Sequence, residues 1–166
     1  AVGIQVGTLF AFSDESGLRA DLKARTIQAA LAGKVDVYTD DRASPTGFPF
    51  KVVPLDGTLS DAGVYEKRER VCDLGYLRTP YRREDGKIRF RCASEPVDTF
   101  LKKGGSLEET VGRKCLCNGL MANIGAGQVR DNEAGEELPI LTSGDDLVIL
   151  DRFLRGRTHY TAADVL

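Results

Sequence analysis

Four cysteines, Cys72, Cys92, Cys115 and Cys117, are by type and grouping the residues of this chain best equipped for chemistry. Thiolates are soft donors, and four of them converging from short, rigid turns suit tetrahedral zinc. Cys115 and Cys117 form a C-x-C turn, while Cys72 and Cys92 flank a hairpin centred on Asp85-Gly86. Arg91, Arg113 and Lys114 lie close in sequence and would offset a doubly negative centre. The usual metal knuckle is C-x-x-C, so the spacing leaves three readings open: a tetrathiolate zinc site, reduced thiols buried as small hydrophobes, or an iron–sulfur cluster. A disulfide framework is not expected, because nothing in the sequence points to secretion. The chain reads as cytoplasmic.

The only histidine, His159, has no serine, cysteine or acid with which a catalytic pair can be built, and it reads as a surface or packing residue. From Lys67 to Arg91 the basic residues outnumber the acidic ones. A hairpin bearing Arg82, Arg83, Lys87, Arg89 and Arg91 could lie along phosphates, with Tyr76, Tyr81 and Phe90 as stacking groups. Glu69, Asp73, Glu84 and Asp85 dilute that field, which favours a solvated face over nucleic-acid binding. Gly125-Ala126-Gly127 is a lone G-x-G without a preceding strand and carries no dinucleotide signal. Gly7-Thr8 is more informative. At the end of a strand, a glycine lets backbone N–H groups approach an anion, and the threonine hydroxyl adds a donor.

The elements that must hold these groups read as α/β. Residues 2 to 6 are short and β-branched and end at Gly7, as in a strand covered on both faces. Ser13 and Asp14 offer N-caps for a helix carrying Leu18, Leu22, Ile27, Ala30 and Leu31, closed by Gly33. The alternating stretch from Val35 to Thr39 follows as a second strand, completing a strand–helix–strand unit with parallel strands. Pro45, Gly47 and Pro49 make the next segment a loop. Further on, residues 58–71 read as helical, and Asp85-Gly86 reads as a type I′ turn. Residues 97–101 form a short helix, and Ser106 with Glu109 is a capping box. A last helix from about Asp145 carries Leu147, Leu150 and Leu154, and Thr161 caps a final turn. Because the chain opens at Ala1 directly on the first strand, it is expected to be the C-terminal piece of a longer protein.

With 166 residues, 42 % of them hydrophobic and 29 % charged, the composition is that of a globular protein with a core, not of a disordered chain. The net charge of −2 argues against a protein basic throughout and built to coat nucleic acid. No apolar run is long enough to cross a bilayer.

The run GIQVGTLF at residues 3–10, with Glu15-Ser16-Gly17 after it, resembles the phosphate-binding end of the nitronate monooxygenase family, the 2-nitropropane dioxygenases. RASPTGFPFKVV, CDLGYLR, RCASEPV and RKCLCNGL are similar to the segment that follows the barrel in a long subgroup of that family. The resemblance implies an FMN-dependent oxidoreductase on a TIM barrel that oxidises alkyl nitronates. Gly7 and Thr8 would bind the FMN phosphate, with Gln5 and Val6 leading into the turn.

The family's catalytic histidine and its remaining flavin contacts lie on earlier barrel strands and match no residue here. On this reading residues 1–40 are the last β/α unit of the barrel, 41–64 a connecting segment, and 65–166 a small mixed α+β extension containing the cysteines. The chain alone would be inactive. Its small-molecule substrate would be a nitronate, or an enoyl compound if the parent enzyme is a flavin-dependent enoyl reductase. It would have no membrane partner, and a homo-oligomer is expected from pairing of the exposed first strand. The competing class is a non-enzymatic module, residues 65–166, stabilised by zinc and serving interaction or nucleic-acid binding.

Overall fold

Residues 5–7 form no regular element, and from Gly7 the chain turns at once into a single helical turn, α1 (Thr8–Ala11). The structure, a computed structural model, describes residues 2–3, 5–131 and 135–166. Ile4, in the middle of the expected first strand, therefore lies outside the described residues, as does Ala1. The described part of residues 2–6 has no regular secondary structure and no place in either sheet, so the expected first strand is not formed among the described residues. The expected cap at Ser13-Asp14 is not used by the following helix. The Ser13 hydroxyl donates to the Phe10 carbonyl at the end of α1, and the Asp14 N–H donates to the Tyr160 carbonyl. The helix α2 (Ala20–Leu31) starts later, with Arg19 as N-cap and Asp21 in its first turn. Lys23 Nζ gathers the carbonyls of Ser13, Asp14 and Ser16, which ties down the loop between the two helices. Gly33, at φ 64°, follows α2 where a left-handed residue is needed.

The parallel strand–helix–strand unit is not formed. The strand β1 (Tyr38–Asp40) is shorter than expected and pairs antiparallel with β2 (Phe50–Val52), Thr39 opposite Lys51. The loop explains this: Asp40 Oδ1 accepts the N–H groups of Arg42 and Ala43, and the Pro- and Gly-rich stretch returns the chain alongside itself. Val35 and Val37 instead pack against the main core. Only Ala62–Glu66 of the expected 58–71 helix forms, as α3, capped by Asp61 through the N–H groups of Gly63 and Val64.

The basic hairpin is present as β3 (Thr79–Arg82) and β4 (Ile88–Arg91), Tyr81 opposite Arg89. Its turn is not type I′, which needs positive φ at two positions. Among the described residues only Gly86 (φ 77°) has it here, and the Gly86 N–H donates to the Arg83 carbonyl. Asp85 caps the turn through the Lys87 N–H instead. The helix α4 (Val97–Lys102) leads to α5 (Leu107–Thr110), which has the expected Ser106–Glu109 capping box in both directions. Then come α6 (Leu116–Asn123), a 3-10 turn (Asp145–Ile149) running into α7 (Leu150–Leu154), and a last 3-10 turn (Ala162–Asp164) capped by Thr161 as expected, with Asp164 closing a capping box. The fold is thus mixed α and β: seven α-helices and two small antiparallel sheets among the described residues.

The main core joins both ends of the chain. Phe12, Ile27 and Ala30 pack with Val53 and with Leu141, Leu147, Leu150, Leu154 and Tyr160. All three stretches delimited from the sequence therefore contribute to one apolar interior. A second cluster holds Leu59, Leu116 and Ile140, with Tyr65, Leu77 and Leu120 against it. Residues 139–141 connect the two without being a strand. The Leu59 N–H donates to Pro139 O, the Ile140 N–H to Gly119 O, and the Val53 N–H to Leu141 O. The Leu141 N–H in turn finds the buried Ser60 hydroxyl at 2.6 Å. Adjacent residues Ile140 and Leu141 thus point into different cores while every buried backbone group named here is satisfied.

Candidate functional site

Two arrangements could do chemistry, and the first is built from the cysteines. Three chain segments meet around them. Arg70, after α3, donates to the carbonyls of Ala93 and Glu95, just beyond Cys92, and to that of Thr110, ahead of Cys115. Arg78 donates to the Cys72 carbonyl at 2.8 Å. The Asn118 amide, beside Cys117, donates to the Asp73 carboxylate, beside Cys72. The Cys115 N–H donates to the Tyr65 hydroxyl at 2.7 Å, and burial pushes that phenol up to about 12.

All four thiols are free, with Cys92, Cys115 and Cys117 buried and Cys72 half-buried. They stand as two pairs. The Cys72 thiol is pushed up, chiefly by donating to the Cys92 sulfur and then by burial, and Cys92 is held down to about 6. In the same way Cys115 is pushed up by sharing its proton with Cys117, which is held down to about 6 against the opposing effect of burial. Nearby backbone N–H groups favour the thiolates: that of Ser94 at Cys92, that of Asn118 at Cys115, and those of Tyr76 and Leu77 at Cys117. The Ser94 hydroxyl lies 3.1 Å from the Cys92 sulfur. As the side chains stand, no three His, Cys, Asp or Glu groups among the described residues are arranged to hold a metal ion.

The cations expected near the thiols act elsewhere. Arg91 lies over the rings of Tyr81 and Phe100, Arg113 donates to the Arg42 and Ser44 carbonyls, and Lys114 sits over the Tyr65 ring. Arg78 and Arg68 take their place at Cys72 and Cys115. Nothing in the local pattern distinguished those two arginines from their neighbours.

Beside this cluster runs a buried ionic network that no sequence signal announced. Arg68 donates through Nε and Nη2 to the two Glu137 oxygens at 2.6 and 2.7 Å, with side chains only 9 % and 2 % exposed. Arg130 bridges Glu137 at 2.8 Å and Asp73 at 2.9 Å. Burial raises the Asp73 carboxyl, but the Asn118 amide and Arg130 outweigh it and hold the group below its ordinary value.

The second arrangement is the Gly7-Thr8 turn. It opens on a shallow cleft lined by Gln5, Gly7, Thr8, Ser143, Gly144 and Asp146. At Gly7 nothing comes within 4 Å of where a Cβ would stand, so a ligand can approach the backbone. Thr8 is buried, and its hydroxyl donates to Asp146 and accepts from Ser143. No lysine or arginine lines the cleft, so Asp146 repels an anion for as long as it holds Thr8. The open backbone at Gly7 leaves room for a ligand, while the Thr8 hydroxyl is committed to Asp146.

His159 is an exposed surface group whose Nδ1 lies 3.0 Å from Asp14 Oδ2. The basic hairpin is solvated, with Ile88 and Phe90 exposed on it. Among the described residues no helix is long and apolar enough to cross a membrane. No family model matches the chain, and comparison with curated proteins and with solved structures returned no match either.

Proposed function

We propose that this chain is the C-terminal part of an FMN-dependent oxidoreductase of the nitronate monooxygenase type, contributing one phosphate-binding turn and an extension that packs behind it. The reading is carried by the Gly7-Thr8 turn. Within the run that resembles the family's phosphate end, an unobstructed Gly7 leads directly into the first turn of α1.

FMN, when bound, would supply the electron transfer from an alkyl nitronate to oxygen. The chain's own part is to hold the phosphate. Gly7 gives the backbone room to approach it, and Thr8 adds a hydroxyl after release from Asp146. No residue of this chain is assigned as the base.

The full-length protein, expressed with whatever coding region precedes residue 1, is expected to purify yellow and to consume oxygen with propyl-2-nitronate. The 166-residue chain alone should do neither. A colourless full-length protein, or turnover by the chain alone, would overturn the proposal. Activity with an enoyl substrate in place of the nitronate would reassign the enzyme to the related reductases.

A further inference from the structure

We propose that Cys72, Cys92, Cys115 and Cys117 together bind one zinc ion through four thiolates. The three segments that carry them are brought together by groups other than the thiols. Arg70 ties the turn after Cys92 to Thr110, the Asn118 amide ties the residue after Cys117 to the residue after Cys72, and Tyr65 receives the Cys115 N–H. Such a scaffold holds the ligand-bearing segments together before any metal arrives, which lowers the ordering cost of binding it.

The surroundings of the sulfurs are those of ligands and not of packing groups. A cysteine used as a small hydrophobe asks for apolar neighbours and no donors. Here Cys92, Cys115 and Cys117 are 2 %, 1 % and 6 % exposed, yet polar groups crowd them: the Cys115 N–H donates to Tyr65, and the Asn118 amide beside Cys117 donates to Asp73 beside Cys72. The Ser94 hydroxyl lies 3.1 Å from the Cys92 sulfur, and the Arg78 guanidinium stands at the Cys72 carbonyl. Donors of this kind stabilise sulfur anions.

Four such groups from two turns and a C-x-C form a closed set for a tetrahedral ion, with no open position for a substrate, so the site is structural. Each cysteine has a single side-chain torsion before its sulfur, and in the proposed site each thiol turns about that bond to face the ion. Each thiol still protonated releases its proton to solvent on binding. The resulting complex carries two negative charges, offset by Arg78 and Arg68. The proposal does not depend on flavin.

The test uses the full chain purified under reducing conditions with zinc supplied. One zinc per chain is expected, with all four thiols protected from alkylation until a chelator is added. Cobalt replacing zinc should give the intense sulfur-to-metal absorption of a tetrathiolate site, and Cys72→Ser and Cys117→Ser should each abolish it. If those variants fail to fold, the metal stoichiometry and thiol protection of the unsubstituted chain decide. Substoichiometric zinc with four reactive thiols would overturn the proposal. So would cobalt bands that survive Cys72→Ser, or the visible absorption of an iron–sulfur cluster in protein prepared without air.

Discussion

The Thr8 hydroxyl donates to the Asp146 carboxylate across 138 positions of sequence, and it does so inside the cleft that the Gly7 turn opens. Gly144 permits the contact. A Cβ there would stand 2.5 Å from Asp146 Oδ1 and 2.9 Å from Thr8 Oγ1.

Thr8→Val should therefore destabilise the chain by about 1 kcal/mol, the usual net worth of one hydrogen bond, and lower the melting temperature by about 3 °C at this chain length. Asp146→Asn keeps an acceptor but removes the charge. In the full-length protein it should strengthen FMN binding about fivefold, since one like charge at close range in water is worth about 1 kcal/mol. Thermal melts check the first expectation and flavin titration the second.

Truncating the buried Arg68–Glu137 pair on one side should be severe. Arg68→Ala leaves Glu137, 2 % exposed at its side chain, with Arg130 alone, and a loss of about 3 kcal/mol is expected in urea unfolding. Replacing both partners, as Arg68→Met with Glu137→Leu, should recover much of that loss, because neither then strands a charge.

Gly119→Ala tests packing against propensity. Alanine is the better helix former by about 1 kcal/mol. The Cβ at this position of α6, however, would lie 2.5 Å from Ile140 Cγ1 in the second core. Overpacking should win, giving a net loss of about 1–2 kcal/mol by equilibrium unfolding.

Stability should fall in acid partly through Asp73. Its carboxyl is held below the ordinary value by Asn118 and Arg130, which outweigh the effect of burial. Because the folded value is the lower one, the contribution is complete above pH about 4 and is lost as pH falls through the folded value. Asp73→Asn should remove this part of the acid dependence, seen as a shallower decline of the urea midpoint below pH about 4.

Much that was legible in the sequence was local. The Ser106 capping box, the Thr161 cap, the helix over α4 and the apolar face of Leu147, Leu150 and Leu154 all rest on spacings of a few residues, and each formed. The turn at Asp85-Gly86 was placed correctly but typed wrongly, because one glycine with positive φ suits a longer loop as well as the two-residue one. The parallel pairing expected of Val35 to Thr39 failed for a non-local reason: strand partners depend on where the chain returns, and the loop after Asp40 returned it to Phe50. The cysteines could be named from sequence, but their donors could not. The Arg68–Glu137–Arg130–Asp73 network and the Thr8–Asp146 contact have no periodicity or motif to reveal them.

Tyr160, 1 % exposed, donates its hydroxyl to the Leu9 carbonyl at 2.6 Å and packs in the same core as Phe12 and Ile27. Contacts that span nearly the whole chain close the largest loop available to it, and they cannot form piecemeal. Until α7 and Tyr160 are in place, α2 can cover its apolar face only in part, against Val53 and its nearer neighbours. The burial of this helix is thus settled by residues that the chain supplies far downstream of it.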